Sequence, residues 1–200
     1  MNEVSDLTAF VFADRRGDTL EPLTDSICVA LLPVAGKPLI QYTLEDLATA
    51  GIRKAVVFVS EHADKVEEQL GDGTRLGVQL SYALSRGQER PEELLWRYCD
   101  QLPHTFLAVR GDVLRSRCIA AFLETARELP EPSAFGHIAG SPCGVCLATD
   151  TRPVRHLGWA SSERESTPVG ARVTLKGAAY SAIDSPGACL LYTSPSPRDS

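Results

Sequence analysis

Asp112 is the residue from which a chemical reading of this sequence starts. It follows Gly111 at the end of Thr105-Phe-Leu-Ala-Val-Arg110, an apolar run that reads as a strand. In open α/β sheets, ligands collect beyond the carboxyl ends of strands. A carboxylate there suits a hard cation such as Mg2+, which usually takes one or two carboxylates together with phosphate oxygens. A helix-cap or turn role is the alternative for this Asp. Asp14-Arg-Arg-Gly-Asp-Thr19 is a second polar set, placed directly after the apolar run Thr8-Ala-Phe-Val-Phe-Ala13. Arg15 and Arg16 offset part of the charge of Asp14 and Asp18; a plain polar surface loop is the alternative. Cys143-Gly-Val-Cys146 has the spacing of a redox or metal pair, but no second pair accompanies it at zinc-site distance. Small apolar residues on a strand is the simpler account of those cysteines. His104, His137 and His156 show no ligand spacing, and His62 falls in the polar first turn of a helix.

The elements that must position these residues alternate along the chain. Thr8–Ala13, Ala55–Ser60, Val78–Leu84 and Thr105–Arg110 read as short strands, wholly or largely apolar, of the kind buried on both faces of a parallel sheet. Between the first two, Leu39, Ile40, Thr43, Leu44, Leu47 and Ala48 recur at helical spacing. Pro38 is read as the first residue of that helix, where its missing N–H costs nothing, and Gly51 as its left-handed stop. Ser60 is expected to cap a helix over 62–70, with Ala63, Val66 and Leu70 inward, and Ser116 to cap one running to Glu128. Pro91–Asp100 reads as a further helix that buries Leu94, Leu95, Tyr98 and Cys99. Two short strands split by Gly140-Ser-Pro142 follow, then a last strand and turn over 173–183. The expected architecture is one α/β domain, three-layered and Rossmann-like, with a mostly parallel mixed sheet and helices on both faces. Right-handed crossovers then set the loops at 14–19, 85–90 and 111–113 along one sheet edge.

Glu21-Pro-Leu-Thr24, Leu31-Leu-Pro-Val34, Gly36-Lys-Pro-Leu-Ile40 and Ala50-Gly-Ile52 resemble, in type and in spacing, the sugar-phosphate nucleotidyltransferases that make NDP-sugars. Gly71-Asp-Gly73, Gly77-Val78, Tyr82 and Gly111-Asp112 extend the likeness over roughly residues 8–150. The resemblance implies the nucleotidyltransferase fold, NTP and sugar 1-phosphate as substrates, and Mg2+ as cofactor. It makes Asp112 the catalytic, metal-binding carboxylate. Ala13, Gly17, Thr19, Ser85 and Gly111 become the nucleotide-binding positions, and Arg15, Arg16 and Lys37 the phosphate region, with Lys37 mainly supporting the fold. The chain departs from the family where phosphate is gripped. Gly17 is the glycine retained from the family's Gly-rich loop, Thr19 stands where that loop has its Arg, and Val29 stands where a Lys is usual. Gln88 is the nearest counterpart of the family's base-binding Gln, three places late. Arg152, Arg155 and Lys176 are the cations left for the sugar half. Losing one preorganised charge-stabilising group costs about 10²–10³ in rate. Two functions therefore stand: an NDP-sugar-forming nucleotidyltransferase, or a catalytically inactive regulatory or scaffold homologue that binds the same ligands. The partner expected beyond substrate is a second copy or a catalytic subunit.

Composition narrows the remaining classes. A net charge of −6 argues against a protein that coats nucleic acid. No apolar run is long enough for a membrane span, and the acidic start Met1-Asn-Glu-Val-Ser-Asp lacks a signal peptide's pattern, so the cytoplasm is the default location. At the end the chain shifts abruptly to Ser and Pro, and Cys189-Leu-Leu-Tyr-Thr-Ser-Pro-Ser-Pro-Arg-Asp199 resembles an in-frame sequencing adapter. The expected organisation is a nucleotidyltransferase-like domain over 1–188, incomplete at its C-terminus, and a disordered, adapter-derived 189–200. A genuine Pro/Ser tail is the alternative.

Overall fold

Period-two alternation builds the central layer. In β1 (Thr8–Phe12) Ala9 and Val11 join one core while Phe10 and Phe12 join another on the opposite face. Both faces of this strand are covered, which is why its run is apolar throughout. The computed structural model describes residues 6–87, 89–98, 102–149, 170–183 and 185. After β1 come the short strands β2 (Pro33–Val34) and β3 (Lys37–Pro38), α1 (Leu39–Thr49), β4 (Lys54–Val59), α2 (Ala63–Leu70), β5 (Gln79–Leu84) and α3 (Pro91–Arg97). The chain continues through β6 (Phe106–Arg110), β7 (Val113–Arg115), α4 (Ile119–Ala126), β8 (Ser133–Ile138), β9 (Ser141–Ala148), β10 (Ala171–Thr174) and β11 (Tyr180–Ala182).

Seven strands form one sheet in the order β10-β8-β9-β6-β1-β4-β5. β1, β4, β5 and β6 are mutually parallel, β10 is parallel to β8, and β9 runs antiparallel to both β6 and β8. Helices α1, α2 and α4 cover one face through Ile40, Leu44, Val66, Leu70, Ile119 and Phe122. On the other face α3 lays Leu94 and Leu95 against an aromatic group. There Phe58 stands 5.0 Å from Phe12 and 5.5 Å from Tyr98, and Phe106 meets Phe10 edge-on at 5.4 Å, the arrangement that ring quadrupoles prefer. The three-layer, mostly parallel α/β architecture is the one the sequence implies. No helix of the described residues is long and apolar enough to cross a membrane.

The structure corrects several local assignments. Pro38 is the N-cap of α1, one residue outside the helix, because it also closes the β2–β3 hairpin. Ser60 does not cap α2: its hydroxyl donates to the Asp14 carbonyl at 2.9 Å, and His62 takes the N-cap position with φ 60°. Ser116 does not cap α4 either, since its hydroxyl accepts from the Ala179 N–H at 2.7 Å. The start of α4 is capped instead by Asp46 of α1, whose Oδ2 accepts the N–H groups of Cys118 (3.1 Å) and Ile119 (3.2 Å). Residues 173–183 hold the end of β10 and the whole of β11, which pairs with β7 rather than with the large sheet. α3 ends at Arg97 rather than Asp100, with Tyr98 as its C-cap; Leu94 and Leu95 are buried and Tyr98 is half-buried. Gln88, Cys99, Arg152, Arg155, His156 and the segment 189–200 lie outside the described residues.

Candidate functional site

Because β1, β4, β5 and β6 run parallel, their carboxyl ends share one sheet edge. Hydrogen bonding continues past the strand ends. The Ala13 N–H donates to Phe58 O at 3.0 Å, the Ser85 N–H to Val59 O at 2.7 Å, and the Gly111 N–H to Phe12 O at 2.8 Å. Ala13, Ser85 and Gly111 therefore lie together along that edge. Gly111 is wedged between β1 and α1: a Cβ there would stand 2.8 Å from Val11 Cγ1, closer than packed carbons approach.

Asp112 occupies the same edge and is only 2% exposed. Arg110 grips it in bidentate fashion, Nε donating to Oδ1 at 2.9 Å and Nη2 to Oδ2 at 2.7 Å. Arg15, from the loop after β1, forms an ion pair with the same Oδ2. A single carboxylate thus joins the first-strand loop to the turn after β6. Burial alone would push the Asp112 carboxyl up, but the charge and hydrogen bonds of Arg110, then of Arg15, outweigh it and hold the group below its ordinary range. Asp14 shifts the other way. Burial raises it, a hydrogen bond with Ser85 offsets part of that, and the Asp112 charge adds to the rise.

The other sequence-derived candidates are placed as follows. The Arg16 side chain is exposed and its guanidinium pairs with Glu61 at 2.9 Å. Gly17 presents its carbonyl to the Thr24 hydroxyl at 2.8 Å and to the Leu20 N–H at 2.7 Å. Thr19 is exposed. Leu20 anchors this loop in a small core with Val29, Leu32, Leu39 and Ile183, and Arg15 Nη2 donates to the Ile183 carbonyl at 2.9 Å. Val29, where the family has Lys, is fully buried in that core. Lys37 is held on α1, 2.9 Å from Glu45 Oε2 and 5.3 Å from the Tyr42 ring centroid. Lys176 is exposed beyond β10.

A cavity of about 950 Å3 lies elsewhere, between the β2–β3 hairpin and α2, and Lys37, Lys65, Glu68, Asp72 and Arg75 are among its lining residues. Its volume suits a small molecule, but its cations are engaged: Lys37 with Glu45, Lys65 with the Ser26 carbonyl and Arg75 with the Gln69 carbonyl. The carboxyl-edge group is the stronger candidate because it lies where the parallel strands end. Cys143 and Cys146 do not form a chelating pair. Three residues apart on β9, they fall on opposite faces, Cys143 in the α1/α4 core and Cys146 in the aromatic one. The Cys143 thiol hydrogen-bonds Cys118 instead.

A divalent cation needs carboxylate oxygens, and both oxygens of Asp112 are taken by guanidinium groups. Among the described residues no group of three or more His, Cys, Asp or Glu could hold a metal ion. Asp112 is the described carboxylate that a Mg2+ shared with phosphate oxygens would use, and in this arrangement Arg110 and Arg15 pair with its oxygens.

Two members of this constellation escape a sequence reading. Arg110 carries a signal, as the one charged residue of the otherwise apolar Phe106–Arg110, two places from Asp112. Arg115 carries none, because it reads as an ordinary surface Arg in a polar stretch. It is 8% exposed, and its Nη1 donates to the carbonyls of Arg110 (3.0 Å) and Cys143 (3.3 Å) while Nη2 donates to Thr43 Oγ1 (3.0 Å).

Comparison with known proteins agrees with this fold. The family model described as nucleotidyl transferase matches residues 9–129. An N-acetylmuramate alpha-1-phosphate uridylyltransferase of Neisseria meningitidis is 36% identical over 134 residues, covering 62% of this chain and 55% of that protein. A glucose-1-phosphate thymidylyltransferase of Mycolicibacterium smegmatis is 40% identical over 163 residues, covering 74% of this chain and 56% of that protein. A solved Bacillus anthracis structure, described as a glucose-1-phosphate thymidylyltransferase, superposes with a TM-score of 0.75 at 16% identity, covering 95% of this chain and 96% of that one; at that identity the likeness speaks for the fold. The chain spans about half the length of the curated relatives it matches. By a sequence match over more than half of its residues, the chain belongs to the nucleotidyl transferase family.

Proposed function

We propose that this chain is the nucleotide-binding part of a sugar-1-phosphate nucleotidylyltransferase, which converts an NTP and a sugar 1-phosphate into an NDP-sugar and pyrophosphate. The observation that carries the reading is the meeting of Arg15, Arg110 and Asp112 at the carboxyl edge of the parallel strands. In the reaction a phosphate oxygen of the sugar 1-phosphate attacks the α-phosphorus in line, the bond to the β-phosphate oxygen breaks, and pyrophosphate leaves. The protein's share in such a transfer is positioning and charge stabilisation. Gly111 keeps the strand end flush with β1 and α1, so the backbone beside Asp112 is held close to β1. Arg15 and Arg110 supply positive charge for the polyphosphate, and Asp112 holds both guanidinium groups in place. The family generally uses a divalent metal ion. The names of the two relatives direct attention to UTP and dTTP with sugar 1-phosphates. We further propose the cytoplasm as the site of action and a second copy or a catalytic subunit as the protein partner.

A second reading, a binding subunit without turnover, is favoured by the occupied carboxylate of Asp112 and by Val29, buried where the family carries a Lys. A pyrophosphate-release assay over UTP, dTTP and GTP, each with several sugar 1-phosphates, separates the two. Release that Arg15→Ala reduces about 10²-fold supports the enzyme. Nucleotide binding without release supports the binding subunit, and absence of both overturns the proposal.

A further inference from the structure

We infer that Arg115 is a positioning residue for Asp112, fixing the turn that carries this carboxylate at the point where the strand ladder stops. The inference rests on the nucleotide reading above for what Asp112 does; the positioning itself is a property of the fold. β6 and β7 flank Gly111 and Asp112 but belong to different sheets, since β7 pairs with β11. On its β9 side the register of β6 ends at Val109 opposite Val145. Gly144, at φ +72°, takes the β9 backbone out of the extended form there, and a Cβ on it would stand 3.0 Å from Arg110 Cβ, Cγ and Cδ. The carbonyls of Arg110 and of the fully buried Cys143 therefore lie past the last rung of the ladder.

Arg115 supplies the missing rung. Its Nη1 donates to the Arg110 carbonyl at 3.0 Å and to the Cys143 carbonyl at 3.3 Å. Its Nη2 donates to the Thr43 hydroxyl at 3.0 Å, and that hydroxyl donates to the Arg110 carbonyl at 3.3 Å. One side chain thus ties the end of β6 to β9 and to α1, and closes the turn 110–115 on itself. Across the turn the Gly111 N–H is held by Phe12 O at 2.8 Å, so the residue before Asp112 is fixed from both sides. A planar fork of donors reaches several acceptors at once, which the point charge of an ammonium does not. Arg115 is buried, and its Nε has no hydrogen-bond partner among the described residues, a desolvation cost that the contacts of Nη1 and Nη2 must outweigh. The Asp46 carboxyl is close enough to feel the opposite charge of this guanidinium.

The test is amide hydrogen exchange on the free protein, followed by NMR, together with calorimetric titration of UTP and dTTP in millimolar Mg2+. Arg115→Met keeps the length of the side chain and loses its donors. In it, Gly111 exchange is expected to speed up about tenfold or more, while Ala13 and Ser85, on the same edge but bonded to β4, stay within about twofold. The nucleotide Kd is expected to rise about tenfold, because the turn is no longer preorganised. Arg115→Lys keeps the charge and a donor, and is expected to recover the larger part of both effects. Thr43→Val removes only the hydroxyl and is expected to give a smaller change of the same sign that Thr43→Ser reverses; this pair decides the matter if Arg115→Met does not fold. Faster exchange shared alike by Gly111, Ala13 and Ser85 shows a general stabilising role and overturns the inference. So does unchanged Gly111 exchange, or local loosening at Gly111 that leaves nucleotide affinity within about twofold. Where the wild type binds neither nucleotide, the nucleotide reading fails, and Gly111 exchange alone decides whether Arg115 positions the turn.

Discussion

Two buried carboxylates sit at different places in this fold and behave in opposite ways. Asp46, at the α1–α4 junction, is 4% exposed, and Asp112, at the carboxyl edge of the sheet, is 2% exposed. Burial raises Asp46, and its N–H partners from Cys118 and Ile119 do not fully offset that rise. Burial also works on Asp112, yet Arg110 and Arg15 drive it below its ordinary range. The difference lies in the partners. Backbone amides offer partial charge, enough to cap a helix, whereas guanidinium groups bring full charges into a poorly solvated place. The first region is built for stability; the second concentrates charge where the strands end.

Substitution separates the two roles. Asp112→Ala is expected to be the most damaging change, costing on the order of 3–5 kcal/mol because it removes the buried carboxylate that pairs with both Arg110 and Arg15. With the folded carboxyl depressed, that stabilisation is present above the ordinary carboxylate pKa and is lost as pH falls through the lower folded value. Denaturant unfolding should therefore show the gap between wild type and variant at pH 7 and pH 5, closing only in strong acid. Asp46→Ala should cost about 1–2 kcal/mol through loss of the α4 cap. Asp46→Asn should be close to neutral at pH 7, since an amide oxygen still accepts both N–H groups. With its folded carboxyl raised, Asp46 contributes most below the ordinary carboxylate pKa and loses that contribution as pH rises through the folded value, a dependence the Asn variant removes. The smallest change is expected at Asp14, where Asn should raise the melting temperature slightly at pH 7. That gain should vanish below the ordinary carboxylate pKa, because the wild-type group is then neutral as well.

The contrast also explains what could be read from residues alone. Strands such as Phe106–Arg110 and helices such as Leu39–Thr49 follow from apolar spacing, because both faces or one stripe had to be buried. Asp112 and Arg15 were legible as chemistry, and a parallel sheet brings their loops to one edge. The helix caps were not legible: Ser60 and Ser116 offer the right side chains locally, but longer-range partners, the Asp14 carbonyl and Ala179, claim them. The true cap of α4 comes from Asp46, more than seventy positions earlier in the chain. Arg110 was visible as a charge at a strand end, yet its bidentate geometry depends on Gly144 and Arg115, which only the folded sheet brings to it. Cys143 and Cys146 bear out the simpler account of their spacing, two buried residues of β9 on opposite faces of the sheet.

Where nucleotide binds decides the account. Amide chemical-shift mapping of the protein titrated with UTP or dTTP should move Ala13, Arg15, Ser85, Gly111 and Asp112 together. Shifts clustered instead on Lys37, Lys65 and Arg75 around the cavity beside α2, or no shifts with either nucleotide, would contradict it.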